Sequence, residues 1–182
     1  MVKIYLVRHG QAGSGWGLEK DPSLDDLGRS QARAAAHKLA LLGPLPILSS
    51  PMARARQTAA PLADMWTIKP RIENRVGEIR FPSETPTDRV RWLNTMMADL
   101  WPNLEPDLQQ WRRDVIEALW EIETDTVVFT HFIAINAAVS YAADDQRVTY
   151  FQPDNASITV METSGDRLYL VERGLEADTR VN

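Results

Sequence analysis

Three short segments carry residue types that could bind and attack a phosphoryl group: Arg8-His9-Gly10, Ser49-Ser50 with Arg54 shortly after, and Thr130-His131. Two guanidinium groups make forked, charge-assisted hydrogen bonds to phosphate oxygens. A neutral imidazole held beside that phosphorus is a nucleophile able to form a covalent phosphohistidine. A second imidazole supplies donors to the equatorial oxygens as negative charge shifts during transfer. Gly10, lacking a Cβ, is expected to let the backbone come close to the phosphate. Ser50-Pro51 starts a helix whose N-terminal amides favour an anion. Ser14, inside the glycine-rich stretch 10–17, is a further candidate for phosphate contact.

The elements around these segments place all three at strand ends. Residues 2–8 are apolar and β-branched and read as a strand stopping at His9. Residues 24–42 carry apolar side chains at helical spacing and close at Gly43-Pro44. Residues 46–49 form a short buried strand. Ser50 as N-cap and Pro51 at the first helical position open the next helix, which Pro61 is expected to kink or end. The polar run 73–86, with Pro82 and Pro86, reads as loop. Val90, Leu93, Met97 and Leu100 mark one amphipathic helix; Leu108, Trp111, Val115, Leu119 and Ile122 mark a second. Residues 126–130 form a buried strand ending at His131, and 132–143 a helix. Residues 156–162 and 167–172 are strands around the turn Ser164-Gly165-Asp166. Strands alternating with helices argue an α/β fold, a three-layer α/β/α sandwich with a mostly parallel central sheet. Ligands of such sheets sit beyond the carboxyl ends of the strands.

The 182 residues suit one domain, 1–182. Hydrophobic residues at 44% and charged residues at 25% give the balance of a folded globular chain. The absence of cysteine excludes disulfides, thiol catalysis and cysteine-ligated metal. A net charge of −5 argues against a nucleic-acid partner. No apolar run approaches the ~20 residues of a membrane span, and the N-terminal apolar run is too short and too quickly charged for a signal peptide. No membrane partner and a cytoplasmic location are expected.

Arg8-His9-Gly10-Gln11 at the end of the first strand resembles the signature of the histidine phosphatase superfamily, the phosphoglycerate mutase-like family. Leu24-Asp25-Asp26-Leu27-Gly28-Arg29-Ser30-Gln31-Ala32 is similar to its second block. Ser49-Ser50-Pro51-Met52-Ala53-Arg54-Ala55-Arg56-Gln57-Thr58-Ala59 is similar to its third. With His131 and Asn155-Ala156-Ser157-Ile158-Thr159, the similarity runs nearly the full length. The resemblance implies a phosphoglycerate mutase-like fold, His9 as phosphorylated nucleophile, and Arg8, Arg54 and His131 as the phosphate pocket. It implies a general acid from the loop after the third block: Glu78 sits in the matching context, with Glu73 and Glu84 as neighbours able to take its place. It implies no metal and no organic cofactor, a small phosphorylated metabolite or other phosphoester as substrate, and residues 73–122 as the variable cover of the site. The expected activity is a cofactor-independent phosphomonoesterase. A mutase returning the phosphoryl group to substrate and a non-catalytic phospholigand-binding module are the alternatives. One departure stands out: many members follow the second histidine with glycine, whereas here Phe132 follows it and is expected to reshape the substrate cavity.

Other residues have plainer readings. His37 lies mid-helix between Ala36 and Lys38 and reads as a surface residue. Arg56, two positions from Arg54, points to nearly the opposite side of the helix at ~100° per residue. The glycine-rich stretch lacks the Gly-Lys-Ser/Thr ending of a nucleotide-binding P-loop and reads as a mobile substrate-side loop. Trp111 falls on an apolar stripe and reads as core, while Trp92 and Trp101 flank the cover and are candidates to line a substrate.

Overall fold

The structure is a computed structural model that describes residues 1–14, 19–80, 86–165 and 167–177. Its strands are β1 (Val2–Arg8), β2 (Ile47–Ser49), β3 (Arg71–Ile72), β4 (Thr126–Thr130), β5 (Ile158–Ser164) and β6 (Arg167–Glu172). Its helices are α1 (Asp26–Ala40), α2 (Ala53–Trp66), α3 (Pro86–Met97), α4 (Pro106–Trp120) and α5 (Phe132–Ala142), with 3₁₀ turns at Asn74–Val76 and Trp101–Asn103.

The six strands form one sheet in the order β3-β2-β4-β1-β5-β6. The first four run parallel, while β5 pairs antiparallel with both β1 and β6. Side chains alternate across the pleat, so each strand feeds two cores. Val7, Ile47, Val127 and Phe129 pack with Ala36 and Leu39 of α1 and Ala59, Leu62 and Ala63 of α2. Ile4, Leu6, Leu48 and Val128 pack on the other face with Leu119 of α4 and Ile135 and Val139 of α5. A third cluster joins α3, α4 and α5 through Leu93, Met96, Trp101, Val115, Phe132 and Ile133.

Three local expectations are corrected. Ser50 does not cap a helix: α2 begins at Ala53 behind Met52, which gives no side-chain cap. Pro61 does not end α2, which runs on to Trp66. A proline inside a helix costs about 3 kcal/mol, and burial of Ala59, Leu62 and Ala63 around it offsets that locally. Pro86, expected in a loop, takes the first position of α3, where its missing N–H has no helical partner to lose.

Register fixes where the functional segments meet. Arg8 pairs with Thr130 and Ser49 with Phe129, so β1, β4 and β2 end side by side. His9 N–H donates to the Thr130 carbonyl (3.0 Å) and Ser50 N–H to the Phe129 carbonyl (2.9 Å), carrying the pairing one residue past the strands.

Candidate active site

His9 is buried, and its Nδ1 lies 2.7 Å from the Gly10 carbonyl. A carbonyl only accepts, so Nδ1 carries the proton and Nε2 keeps its lone pair. Arg54 Nε–H, 3.3 Å from Nε2, points at that lone pair. His131, fully buried, stands with its ring centroid 5.2 Å from that of His9. Its Nε2 lies 2.7 Å from Ser50 Oγ, which accepts the Met52 N–H at 3.2 Å. Glu78 Oε2, which only accepts, lies 3.3 Å from His131 Nδ1, so the imidazole proton sits on Nδ1 and the Ser50 hydroxyl donates to the bare Nε2.

Glu78 comes from the chain between the first 3₁₀ turn and α3. Thr130 Oγ1–H donates to the Val76 carbonyl at 2.6 Å, and the buried Val76 and Ile79 anchor that segment on either side. Glu78 Oε2 also accepts from Arg54 Nη2 at 3.3 Å, while Oε1 accepts the Ile79 N–H at 3.2 Å. Arg8 is held by its Nη1–H on the Pro153 carbonyl (2.8 Å), with its guanidinium carbon 5.2 Å from the centre of the Phe132 ring. Asn155 Nδ2–H fastens the His9 carbonyl at 3.0 Å.

Charge follows from these contacts. Burial is the largest influence on His9, and with His131, Arg54 and Arg8 beside it the imidazole is pushed well below its ordinary range. Burial likewise lowers His131, with Arg54 and Arg8 adding to the effect against the opposing pull of Glu78. Both rings are neutral at pH 7. Burial by itself would raise the Glu78 carboxyl, but His131, Arg54 and His9 outweigh it and hold it at about 2. Arg8 is lowered to about 10 by burial and remains a cation.

Among the described residues, the buried nitrogen atoms without a hydrogen-bond partner are Arg8 Nε, Arg54 Nη1, His131 Nδ1 and Arg112 Nε. Three of these four belong to the groups around His9. A lone pair on a buried neutral imidazole, ringed by unspent donors on two guanidiniums and a second imidazole, suits a tetrahedral oxyanion at its centre. One nitrogen or oxygen each from His9, Glu78 and His131 lie within 4.8 Å of one another, a spacing that could also hold a metal ion. Arg54 occupies that same space, donating to both His9 and Glu78, so its cationic fork favours an anion there.

The fold thus brings together Arg8, His9, Arg54, His131 and Glu78. Glu73 is not among them: it caps the first 3₁₀ turn and gives both oxygens to Arg75, which also pairs with Glu121 at the C-terminal end of α4. Glu84 lies outside the described residues, as does the part of the glycine-rich stretch beyond Ser14. No hydrogen bond among the described residues ties Ser14 to the cluster. Gly10 also has a packing role. A Cβ there would lie 2.5 Å from the Gly28 carbonyl, and one on Gly28 would lie 2.0 Å from that of Gln11. The paired glycines let the end of β1 touch the first turn of α1. Phe132 also departs from expectation, since its ring is buried in the third core cluster. His37 and Arg56 are exposed, and Trp101 and Trp111 stack in the interior with centroids 6.3 Å apart.

Three positioning residues escaped the sequence reading. Ser50 was visible only as a helix cap. Thr58 accepts the Gly10 N–H (3.0 Å) while donating to the Arg54 carbonyl (2.7 Å). Asp21 accepts the Ala53 N–H at the start of α2 (2.8 Å) and lies 3.6 Å from Arg54 Nη1. An aspartate three residues before the second block is the signal for the last; Thr58 lies inside the third block itself.

The family profile of the Histidine phosphatase superfamily (branch 1) matches residues 4–175. The chain belongs to this superfamily. Within it, the chain is 42% identical over 80 residues to the glucosyl-3-phosphoglycerate phosphatase of Mycolicibacterium vanbaalenii, covering 42% of this chain and 36% of that protein. It is 29% identical over 125 residues to a probable phosphoglycerate mutase of Yersinia enterocolitica, covering 64% and 50%. The matched stretches span half or less of these relatives' lengths. Among solved structures, a mycobacterial glucosyl-3-phosphoglycerate phosphatase superposes with a TM-score of 0.77 at 22% identity, covering 97% of this chain and all of that one. The phosphoserine phosphatase of Entamoeba histolytica, in complex with 3-phosphoglyceric acid, gives 0.77 at 20%, covering 96% and 98%. These likenesses show a shared fold, that of a histidine phosphatase.

Proposed function

We propose that this histidine phosphatase hydrolyses phosphoric monoesters of small metabolites through a phosphohistidine on His9. The observation that carries the proposal is the Nε2 lone pair of His9, which faces the Arg54 Nε–H, set among side-chain nitrogens of Arg8, Arg54 and His131 that have no hydrogen-bond partner. Arg8, Arg54 and His131 Nδ1 grip the non-bridging oxygens. His9 Nε2 attacks phosphorus, the ester P–O bond breaks, and the carboxyl of Glu78 gives its proton to the departing alkoxide. A water then attacks phosphorus from the vacated side, returns a proton to Glu78, and the N–P bond breaks to release inorganic phosphate. The balance is ester plus water to alcohol plus phosphate.

Glu78 is a carboxylate in the unliganded site, so its acid role depends on substrate. An incoming phosphate competes for Arg54 and sets negative charge beside Glu78. Both changes raise the carboxyl and let it take up the proton it will donate. Residues 73–122, with α3 and the second 3₁₀ turn, cover the site and choose the alcohol. The superfamily relatives act on phosphorylated sugar acids and phosphoserine by name, which supports a small, anionic substrate. A cytoplasmic location accords with these substrates, and among the described residues no helix is long and apolar enough to cross a membrane.

The test is phosphate release from p-nitrophenyl phosphate, phosphoserine and 3-phosphoglycerate, with chelator present, by wild type and His9→Ala. Release that disappears in the variant supports the proposal. A well-folded wild type releasing phosphate from none of them, yet binding inorganic phosphate, favours a binding module.

A further inference from the structure

The fourth buried nitrogen donor without a partner lies far from His9. Arg112 projects from α4, half-buried, with its guanidinium carbon 4.9 Å from the centre of the Trp101 ring. Trp101 is itself stacked on Trp111, with ring centroids 6.3 Å apart. Arg112 Nη2–H donates to Ser140 Oγ at 3.2 Å, and the same oxygen takes the Trp101 indole N–H at 3.1 Å. The guanidinium is thus fixed in orientation, yet it has no carboxylate partner among the described residues and its Nε–H has no acceptor. Desolvating a guanidinium without a counter-charge is costly, and burial does lower this one.

Arg112 borders a cavity of about 420 Å³. Arg167, at the start of β6, lines it too and has no ion pair among the described residues. Tyr141 and Tyr169 form flat walls with their rings partly exposed. Two carboxylates also reach the lining. Asp145 is already spent, since both its oxygens are held by Arg147. Asp144 is exposed. Two ordered or unpaired guanidiniums therefore face one spent and one solvated acid.

We propose that this cavity is a second anion site, built to take a phosphate group, free or carried by a small metabolite, between Arg112 and Arg167. It is separate from the catalytic cluster: α5 begins beside His131 and reaches Ser140 nine residues later, about 14 Å along the helix. The catalytic pocket and this cavity share one signature, a buried guanidinium N–H with nothing to donate to. The planar fork of arginine is suited to two oxygens of one phosphate.

The test follows the Arg112 Nε–H resonance in arginine-labelled protein, assigned by its loss in Arg112→Lys, which keeps the charge. The probes are inorganic phosphate and a non-hydrolysable alkyl phosphonate. A saturable shift of this resonance, with an affinity weakened at least fivefold in the surface variant Arg167→Gln, is the expected result. Tighter binding of phosphate identifies the free ion as ligand, and tighter binding of phosphonate a phosphorylated metabolite. A resonance unmoved through about 20 mM of both probes, where even a millimolar site would be filled, overturns the proposal. So does an affinity indifferent to Arg167→Gln. The readout needs no turnover, so it stands or falls independently of the proposed hydrolysis.

Discussion

Ser50 Oγ lies 2.7 Å from His131 Nε2, which leaves His131 Nδ1 turned toward Glu78 Oε2. The Glu78 carboxylate beside Nδ1 keeps the ring's own proton there, so the serine hydroxyl donates to Nε2 while accepting the Met52 N–H. Removing the hydroxyl leaves both tautomers open and a buried ring nitrogen unpaired, a loss of about 1–3 kcal/mol. Ser50→Ala is expected to lower kcat by about tenfold or more while the protein stays folded. Nitrogen chemical shifts of the His131 ring should show mixed tautomers. Unchanged shifts and unchanged kcat would remove Ser50 from the machinery.

Glu78 and Glu73 are told apart by leaving group. A poor leaving group needs a proton, so Glu78→Gln should slow an alkyl phosphate by about 10²–10⁴ and an aryl phosphate far less. Glu73→Gln breaks the contacts to Arg75 that fasten the first 3₁₀ turn to α4. It should lower Tm and spare the rate. The opposite pattern would transfer the acid role to Glu73.

The pH dependence of stability follows from the same groups. His9 and His131 have folded values below the ordinary ~6.5, so the unfolded chain binds more protons than the folded one and stability falls as pH drops below about 6.5. Glu78, at about 2, contributes stability that is full above its unfolded value of about 4.5 and is lost as pH falls toward 2. Both act in one direction. Thermal unfolding from pH 8 to pH 4 should show Tm declining below 6.5, with a shallower decline in His9→Gln. An identical slope in that variant would contradict a buried neutral His9.

Phe132 supports Arg8 from the core. The ring packs with Leu93, Met96 and Trp101 and sits under the guanidinium. Phe132→Ala is expected to cost about 3–5 kcal/mol of stability and to raise KM for phosphate esters as Arg8 loses its support. An enlarged substrate range with unchanged Tm would mean that the ring fills the pocket instead.

Gly28 is legible in the sequence as a glycine one turn into a helix, a costly choice without a reason. The structure supplies the reason in its contact with Gln11. The segments of the candidate site were legible for a similar cause: Arg8, Ser50 and His131 each follow a run of strand residues, and a parallel sheet gathers such ends. What the sequence concealed depends on side-chain direction. Ser50-Pro51 carries the ordinary signature of a helix start, and nothing local says that the hydroxyl turns to a histidine 81 positions away. Phe132 likewise sits beside His131 in sequence, but the helical turn at the start of α5 sends adjacent side chains to different faces. Glu78 could be separated from Glu73 only once Arg75 was seen to hold both oxygens of the latter.

The most direct test of the phosphohistidine account is to mix the enzyme with a radiolabelled phosphoester, quench within milliseconds, and count protein-bound phosphate. The expected label sits on His9, survives alkali, is lost in acid on the time scale of a phosphoramidate, and is absent from His9→Ala. Turnover with no label in wild type under burst conditions, or a label that persists in His9→Ala, would contradict it.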